Sequence, residues 1–253
     1  MKFTETIRLN LSNANASEMT IGQEVAENYR KAEVFKKHNI DFCCGGKKTL
    51  SSVCTQKNLN YAEIRNELNK VEGPQGIASQ NYQSWDAGFL AEYIINTHHR
   101  YVKSAIPLLL EYTNKVARVH GNERPELIDI ANLFAEASDE LIAHMFKEEQ
   151  VLFPYIQQLS AANSDPGSQR FPTFDSVEQP IHRMEQEHET VGELFKTIRT
   201  LSNNFTPPEQ ACNTYRVSFA KLHEFEQDLH QHIHLENNIL FPKSIELELA
   251  SGN

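Results

Sequence analysis

Four long segments of this chain carry apolar residues that step by four and three positions, the spacing of the buried seam between packed helices. No segment shows a competing strand pattern. Four amphipathic helices of this length predict an all-α fold with a four-helix bundle, in which binding sites form between facing helices. The stripes are Ile95, His99, Val102, Ile106 and Leu109; Ile130, Phe134, Ala137, Leu141, His144, Glu148 and Leu152; Val177, Ile181, Met184, His188, Val191, Phe195 and Ile198; and Phe225, Leu229, His232, Glu236 and Ile239.

A smaller helical domain is predicted before the bundle. Thr20 with Gln23, and Asn60 with Glu63, match the capping box that opens a helix. The first of these helices is expected to continue to about Asn39. The predicted organisation is a polar tail (1–19), a small helical domain around a Cys-Cys-Gly-Gly turn (20–72), a linker (73–83) and the bundle (84–253).

Each bundle stripe is interrupted by one histidine, and two stripes also contain a glutamate one turn later. His144 and Glu148, like His232 and Glu236, are four residues apart and therefore share one face of a helix. Both pairs stand in the same local sequence, His-x3-Glu-x4-Phe-Pro. The motif thus occurs twice in the bundle.

The repeat extends beyond this motif. The interval from His99 to His144 is 45 residues, and that from His188 to His232 is 44. The two halves therefore correspond to one helical hairpin used twice. Two hairpins related by a pseudo-twofold axis would bring four imidazoles and two carboxylates to one level of the core, a ligand set for two metal ions with two nitrogens each and carboxylates free to bridge.

Six polar groups on apolar seams need partners, because an unpaired buried carboxylate costs several kcal/mol. Divalent metal ions satisfy all six together, and imidazole with carboxylate suits Fe, Mn or Zn. Six ligands shared by two ions leave open positions for a small diatomic molecule. An alternative stripe through Ile94, His98 and Tyr101 makes His98 and His99 equal candidates at the first helix. The candidate ligands are one of these two, with His144, Glu148, His188, His232 and Glu236.

Helical phase also predicts which other polar residues face solvent. Four histidines lie off the stripes by more than a third of a turn and are expected to be exposed: His182, His223, His230 and His234. Four glutamates border the candidate ligands and are expected to be solvated charges, with one or two of them able to hydrogen-bond an imidazole: Glu149, Glu185, Glu187 and Glu189.

The cysteines do not suggest a disulfide framework. Cys43 and Cys44 are adjacent, whereas bridged Cα atoms normally lie about 5.5 Å apart, so a reducing cytosol is the better interpretation. These two thiols are equally consistent with a redox or metal-transfer site and with buried structural cysteines. Gly45-Gly46 suits positive φ and close approach to another surface such as the bundle. The isolated Cys54 and Cys212 are expected to be structural.

Charge and hydropathy exclude two classes of partner. The formal net charge of -10 argues against binding nucleic acid, which requires clustered Lys and Arg, and against an anionic membrane surface. No apolar run of 18 residues is present, so no membrane-spanning helix is expected. The first residues show no secretion signal, and the expected location is the cytoplasm.

Two motifs in this order resemble the repair-of-iron-centres family, the di-iron iron–sulfur cluster repair proteins of bacteria. The resemblance covers nearly the whole chain from about residue 20. The first domain resembles the cysteine-containing domain of that family through Ile40-Asp-Phe-Cys-Cys-Gly-Gly-Lys47. The second resembles its haemerythrin-like four-helix bundle through His144-x3-Glu-Glu-Gln-x-Leu-Phe-Pro154 and His232-x3-Glu-Asn-Asn-x-Leu-Phe-Pro242.

The resemblance implies two non-haem, carboxylate-bridged irons. In the family the first ligand precedes a proline by eight residues, so Pro107 selects His99 over His98. It further implies repair of iron–sulfur clusters damaged by nitric oxide or oxidants, with the damaged proteins and small ligands such as nitric oxide or oxygen as partners, and it leaves a homodimer open. Cys43 and Cys44 would relay electrons, iron or nitrosyl groups. Alternative hypotheses are an enzyme that reduces nitric oxide or peroxide and a reversible small-ligand sensor or carrier.

Overall fold

The computed structural model describes residues 18–71, 81–164 and 175–251. Within these ranges the regular secondary structure is helical, apart from one isolated bridge between Thr20 and Thr49. The predicted all-α class is therefore confirmed. The predicted tail and most of the predicted linker lie outside the described residues.

Residues 18–71, here called the N-terminal unit, form four short helices. These are α1 (Ile21–Glu27), α2 (Lys31–Lys37), α3 (Leu50–Lys57) and α4 (Tyr61–Asn69). Thr20 and Gln23 form the predicted capping box at α1. Asn60 caps α4 by accepting hydrogen bonds from the backbone N–H groups of Ala62 and Glu63. Both helix starts were therefore predicted correctly.

The expected single helix from Thr20 to Asn39 is wrong. Asn28 is extended (φ −150°, ψ 99°), and its side chain accepts a hydrogen bond from the N–H of Arg30, so the chain turns between α1 and α2. Asn39 has φ 52° and ends α2 in the left-handed conformation that asparagine tolerates. Helix α3 was not predicted, because its buried stripe is limited to three residues, Leu50, Val53 and Cys54.

The bundle consists of four long helices, three of which are interrupted by a π-helical turn. The first is α5 (Ala87–Ile94), a π turn (Ile95–His99) and α6 (Arg100–His120). The second is α7 (Glu126–Lys147), a π turn (Glu148–Leu152) and α8 (Phe153–Ser164). The third is α9 (Glu178–Leu201), and the fourth is α10 (Asn213–Leu235), a π turn (Glu236–Leu240) and α11 (Phe241–Ala250). None of these described helices has both the length and the apolar character needed to cross a bilayer.

The long helices of the bundle pack side by side. Helix α6 lies against α7 and α10, α7 lies against α9, and α5 lies against α8. Within the core the rings of Phe134, Phe195 and Phe225 contact one another, which joins α7, α9 and α10. All three side chains are fully buried. This aromatic layer closes the bundle on one side of the candidate site.

The π turns lie where the candidate ligands are. His99 closes the first turn, and Glu148 and Glu236 open the other two. A π turn adds one residue to an α-helix, shifts the helical phase and is frequent at functional sites. Here it explains why phase did not separate His98 from His99. Ile94 before the turn is in phase with His98, Val102 after it is in phase with His99, and both imidazoles are buried.

Candidate metal centre

The structure brings six of the predicted ligands together inside the bundle, and none is more than 2 % exposed. They form two groups of four, and within each group the potential ligand atoms all lie within 4.8 Å of one another. Both groups contain both carboxylates, and they differ only in their two histidines. The groups are His99, Glu148, His232 and Glu236; and His144, Glu148, His188 and Glu236.

The imidazoles are paired through their Nε2 atoms. The Nε2 atoms of His99 and His232 lie 3.1 Å apart, and those of His144 and His188 lie 2.9 Å apart. Two nitrogens bound at right angles, each about 2.1 Å from one ion, would lie about 3.0 Å apart. Each pair is therefore spaced to hold one ion.

The carboxylates lie between these two histidine pairs. Oε2 of Glu148 is 3.4 Å from Nε2 of His99 and 3.3 Å from Nε2 of His144, so one oxygen faces both pairs. The two oxygens of Glu236 face different histidine pairs. Oε1 lies 2.9 Å from Nε2 of His232, and Oε2 lies 3.1 Å from Nε2 of His188. The arrangement suits carboxylates that contact two cations.

Hydrogen bonding within the protein does not satisfy this cluster. Within the part of the chain that the structure describes, both oxygens of Glu148, Oε2 of Glu236 and Nδ1 of His232 are buried without a hydrogen-bond partner. Buried carboxylate oxygens without partners are costly, and bound cations remove that cost. The donor set therefore fits two metal ions that prefer nitrogen and oxygen ligands.

The charges of these side chains favour protonated imidazoles beside ionised carboxylates. Burial lowers the pKa of His99 and His144, but the nearby carboxylates, chiefly Glu148, outweigh burial and raise both to about 10. Burial and repulsion from Glu236 raise the pKa of Glu148, yet the histidines outweigh them and bring it to about 2. Burial also raises the pKa of Glu236, but His232, His188 and His99 outweigh burial and hold it well below its usual value. Metal binding must displace protons from these imidazoles.

Two of the bordering glutamates hydrogen-bond candidate ligands. Nδ1 of His99 donates to Oε1 of Glu149 at 2.8 Å, and Nδ1 of His144 donates to Oε2 of Glu187 at 3.0 Å. Nζ of Lys103 also donates a hydrogen bond to Glu149, at 2.7 Å. At Glu187 the hydrogen bond from His144 contributes most to lowering the carboxyl pKa, to about 2. The expectation that one or two of the four glutamates hydrogen-bond an imidazole is therefore confirmed, at Glu149 and Glu187. Glu189 is exposed, as expected of a solvated charge, whereas Glu185 pairs with Lys47.

Asn237 was missed by sequence reasoning. Its Oδ1 accepts a hydrogen bond from Nδ1 of His188 at 2.8 Å. The sequence repeat indicates this role, because Asn237 follows Glu236 as Glu149 follows Glu148. Glu149 bonds His99 and Asn237 bonds His188, in each case the histidine on the first helix of the same half of the bundle.

His98 precedes His99 as Glu187 precedes His188. Glu187 hydrogen-bonds a candidate ligand, His144, whereas His98 stacks on one, His232. His98 is absent from both ligand groups. Its Nδ1 lies 2.9 Å from Oδ1 of Asp228, and its ring stacks on that of His232 with centroids 5.6 Å apart and 6° between the planes. The pseudo-twofold pattern is thus broken at His232, whose Nδ1 has no acceptor among residues 18–71, 81–164 and 175–251.

The predicted exposure is wrong for two histidines of α10. His234 is buried and His230 is half-buried, because the N-terminal unit covers this face of the helix. Phe42 lies against both rings, at centroid distances of 5.8 Å from His234 and 6.0 Å from His230. Burial lowers the pKa of both imidazoles to about 4. His182 and His223 are exposed as predicted.

Cys43 and Cys44 lie where the N-terminal unit meets the bundle. All four cysteines are free thiols; Cys43 and Cys54 are buried, Cys44 is half-buried and Cys212 is exposed. Oδ1 of Asp41 accepts hydrogen bonds from the backbone N–H groups of Cys43 and Cys44 and from the Cys43 thiol, at 2.9, 3.0 and 3.2 Å. Both thiols border a cavity of about 40 Å³, whose other lining residues are Lys47, Glu185, Glu189, Asn237 and Asn238.

The expectation for the glycine pair is confirmed in part. A Cβ on Gly46 would lie 2.3 Å from Oδ1 of Asn238, so Gly46 does permit close approach to the bundle. Neither glycine has the expected positive φ, because the turn is formed without left-handed backbone at these positions. Gly45 instead packs against Asp41, whose carbonyl oxygen would lie 2.8 Å from an added Cβ.

Comparison with known proteins agrees with this architecture. Residues 90–244 match the hemerythrin HHE cation binding domain, and residues 17–72 match ScdA_N, a domain of unknown function (DUF542). Relatives include the iron-sulfur cluster repair protein YtfE of Yersinia pseudotuberculosis (serotype O:1b, strain IP 31758) and of Yersinia pestis (strain Pestoides F). Each is 37% identical over 216 residues, which is 85% of this chain and 91% of the relative. The chain therefore belongs to the YtfE family of iron–sulfur cluster repair proteins, and its bundle is a haemerythrin-type cation binding domain.

Proposed function

We propose that this protein holds two non-haem iron ions and acts in the repair of iron–sulfur clusters damaged by nitric oxide or oxidants. The observation that carries the proposal is the pair of four-residue groups that share Glu148 and Glu236. Imidazole and carboxylate ligands without thiolate suit iron, and carboxylate-bridged metal pairs are typical of helical bundles. The name of the Yersinia relatives supplies the link to cluster repair.

The protein's own residues would hold and orient this centre. His99 with His232, and His144 with His188, would each hold one ion, and the two carboxylates would contact both. Glu149, Glu187 and Asn237 would fix three of the imidazole rings through Nδ1. When bound, iron supplies redox chemistry, binding of small diatomic molecules, or iron for a damaged cluster.

Cys43 and Cys44 would receive iron on its way to a client. Their thiols and the carboxylate of Asp41 form a third group of potential ligand atoms within 4.8 Å of one another. Iron(II) taken up by two thiols displaces their protons and needs no reductant. Clients would be cytoplasmic proteins with damaged clusters. The cavity beside these thiols is bounded by Asn237, which bonds His188, so the transfer site adjoins the candidate centre.

Iron loading and client repair test the proposal together. Anaerobically reconstituted protein should hold about two irons per chain and restore activity to an enzyme whose cluster has been damaged by nitric oxide. The double variant Glu148→Gln/Glu236→Gln should lose both properties. The matched control Glu111→Gln/Glu193→Gln, at two exposed positions on α6 and α9, should keep them.

Two other results would redirect the proposal. Steady reduction of nitric oxide or peroxide by iron-loaded protein, without repair of a client, would indicate an enzyme. A reversible change of spectrum with nitric oxide or oxygen, again without repair, would indicate a sensor or carrier. Protein that folds but takes up no iron would contradict all three functions.

A further inference from the structure

Two neighbouring residues of one π turn face in different directions. Asn237 bonds Nδ1 of His188 at 2.8 Å inside the bundle. Asn238 points to the N-terminal unit, where its amide donates to the carbonyl oxygens of Phe42 at 3.3 Å and Cys43 at 3.2 Å. Glu236, a candidate ligand of both ions, is the first residue of the same turn. The turn therefore connects the candidate centre to the docked unit.

The Asn238 side chain fits a cradle made by two glycines. A Cβ on Gly22 would lie 2.0 Å from Oδ1 of Asn238, and a Cβ on Gly46 would lie 2.3 Å from it. Real Cβ atoms do not approach so closely, so a Cβ at either position would displace the Asn238 side chain from its present place. The N–H of Gly22 donates to the carbonyl of Gly46 at 2.8 Å, which fixes the cradle within the N-terminal unit.

We propose that Asn238 is a positioning residue that ties docking of the N-terminal unit to retention of the ion at His144 and His188. When the unit is displaced, the π turn loses its outer anchor, and Asn237 no longer holds the His188 ring in its ligating orientation. The ion at His144 and His188 then leaves before the ion at His99 and His232. By linkage, a bound ion at His188 stabilises the docked unit by the same factor. This inference rests on the proposed di-iron centre.

Gly22→Ala is the sharpest probe. Gly22 lies in the first turn of α1, where alanine favours the helix over glycine. Its added methyl group would lie 3.1 Å from the carbonyl oxygen of Gly46, a close contact within the unit, but only 2.0 Å from Oδ1 of Asn238. The Asn238 side chain must therefore leave the cradle, which breaks its link to the unit. The matched control is Gly192→Ala on α9, where a Cβ meets the Sγ of Cys44 at an ordinary 3.7 Å across the same interface.

Release of iron to a ferrous chelator, followed anaerobically, gives the first measurement. Loss of a ligand-orienting hydrogen bond typically weakens metal binding about 10- to 100-fold. Gly22→Ala should therefore release one of its two irons at least about 10-fold faster than wild type, with the second iron little changed. Gly192→Ala should match wild type. Asn238→Ala, which adds no volume, should also release one iron faster.

The double variant Gly22→Ala/Asn238→Ala separates docking from general damage. Without the Asn238 side chain the added methyl keeps only the 3.1 Å contact with the carbonyl oxygen of Gly46, inside the N-terminal unit. The double variant should therefore release iron no faster than Asn238→Ala alone. Hydrogen exchange supplies a second measurement: iron loading should protect amides of residues 42–46 in wild type and Gly192→Ala, and fail to protect them in Gly22→Ala.

The outcomes separate this link from the function on which it rests. If wild type takes up no iron, the proposed di-iron function is wrong. If wild type binds two irons and Gly22→Ala, folded by circular dichroism, releases both at the wild-type rate, the function stands and the link is overturned. Additive effects of Gly22→Ala and Asn238→Ala would overturn it equally, because they would show that the methyl group does not act through Asn238.

Discussion

The imidazole of His98 lies parallel to that of His232, with ring centroids 5.6 Å apart and planes inclined by 6°. Among the described residues Nδ1 of His232 has no acceptor, so this stacking takes the place of the Nδ1 hydrogen bond that orients each of the other three imidazoles. His98→Phe should keep the metal content of wild type, since an aromatic ring remains. His98→Ala should lower affinity for one ion by about 10-fold. Titration of loaded protein with a chelator measures both, and equal metal loss from the two variants would contradict the role of stacking.

Glu149 should influence the ion at His99 through its hydrogen bond to Nδ1. Glu149→Gln keeps an acceptor but removes the charge that makes the imidazole a better ligand, so affinity for one ion should fall about 10-fold. Isothermal titration with iron(II) under anaerobic conditions measures the change. Glu193→Gln, at an exposed pair with Lys196, is the control. Unchanged affinity in Glu149→Gln would show that this carboxylate only neutralises Lys103.

Cys44 should react with alkylating agents before Cys43. The hydrogen bond with Cys44, then burial, then the charge of Asp41 raise the pKa of Cys43 well above its usual value, so this thiol stays protonated at neutral pH. Cys44 is more accessible. In a Cys212→Ser background, which removes the exposed thiol, mass spectrometry after brief iodoacetamide treatment should find carbamidomethyl on Cys44. Faster modification of Cys43 would contradict the buried position assigned to it.

Glu24 should make the stability of the N-terminal unit depend on pH. Burial raises its pKa, but hydrogen bonds from Arg65 and Lys31 outweigh burial and lower it. A lowered carboxyl pKa adds stability above the unfolded pKa, and this is lost as pH falls through the folded pKa. Glu24→Gln should therefore reduce the free energy of unfolding by about 1–3 kcal/mol at pH 7. The difference from wild type should shrink as pH falls below the ordinary glutamate value of 4.5.

Urea unfolding of metal-free protein at pH 7 and pH 3 measures this difference. Glu63→Gln, at an exposed position of α4, should change neither value. A destabilisation by Glu24→Gln that is the same at both pH values would show that the charge of Glu24 does not contribute.

The sequence predicted the bundle well because its helices are long. Over five or more turns the apolar stripes fix which face is buried, and polar residues in phase with them must be buried too. His144, Glu148, His232 and Glu236 could therefore be placed from phase and repeat alone. In the N-terminal unit α3 spans only eight residues, and three buried positions are too few to define a periodic pattern.

Features that depend on other parts of the chain could not be predicted from local pattern. His234 is buried by Phe42 of the N-terminal unit, 192 positions earlier in the sequence, and nothing in α10 indicates that cover. Phase arguments also assume a uniform helix, so the π turn at Ile95–His99 made His98 and His99 indistinguishable. Asn237 needed only a residue-by-residue comparison of the two repeats.

The π turns also determine where these helices tolerate a change in length. Removing one residue from the turn Glu236–Leu240 would leave a regular α-helix and rotate all of α11 by about 100° relative to α10. The buried face of α11 would then point away from α8, its present neighbour. Each interrupted helix thus behaves as two shorter rods joined at a fixed angular offset, and insertions or deletions at the joint would alter half of the bundle core at once.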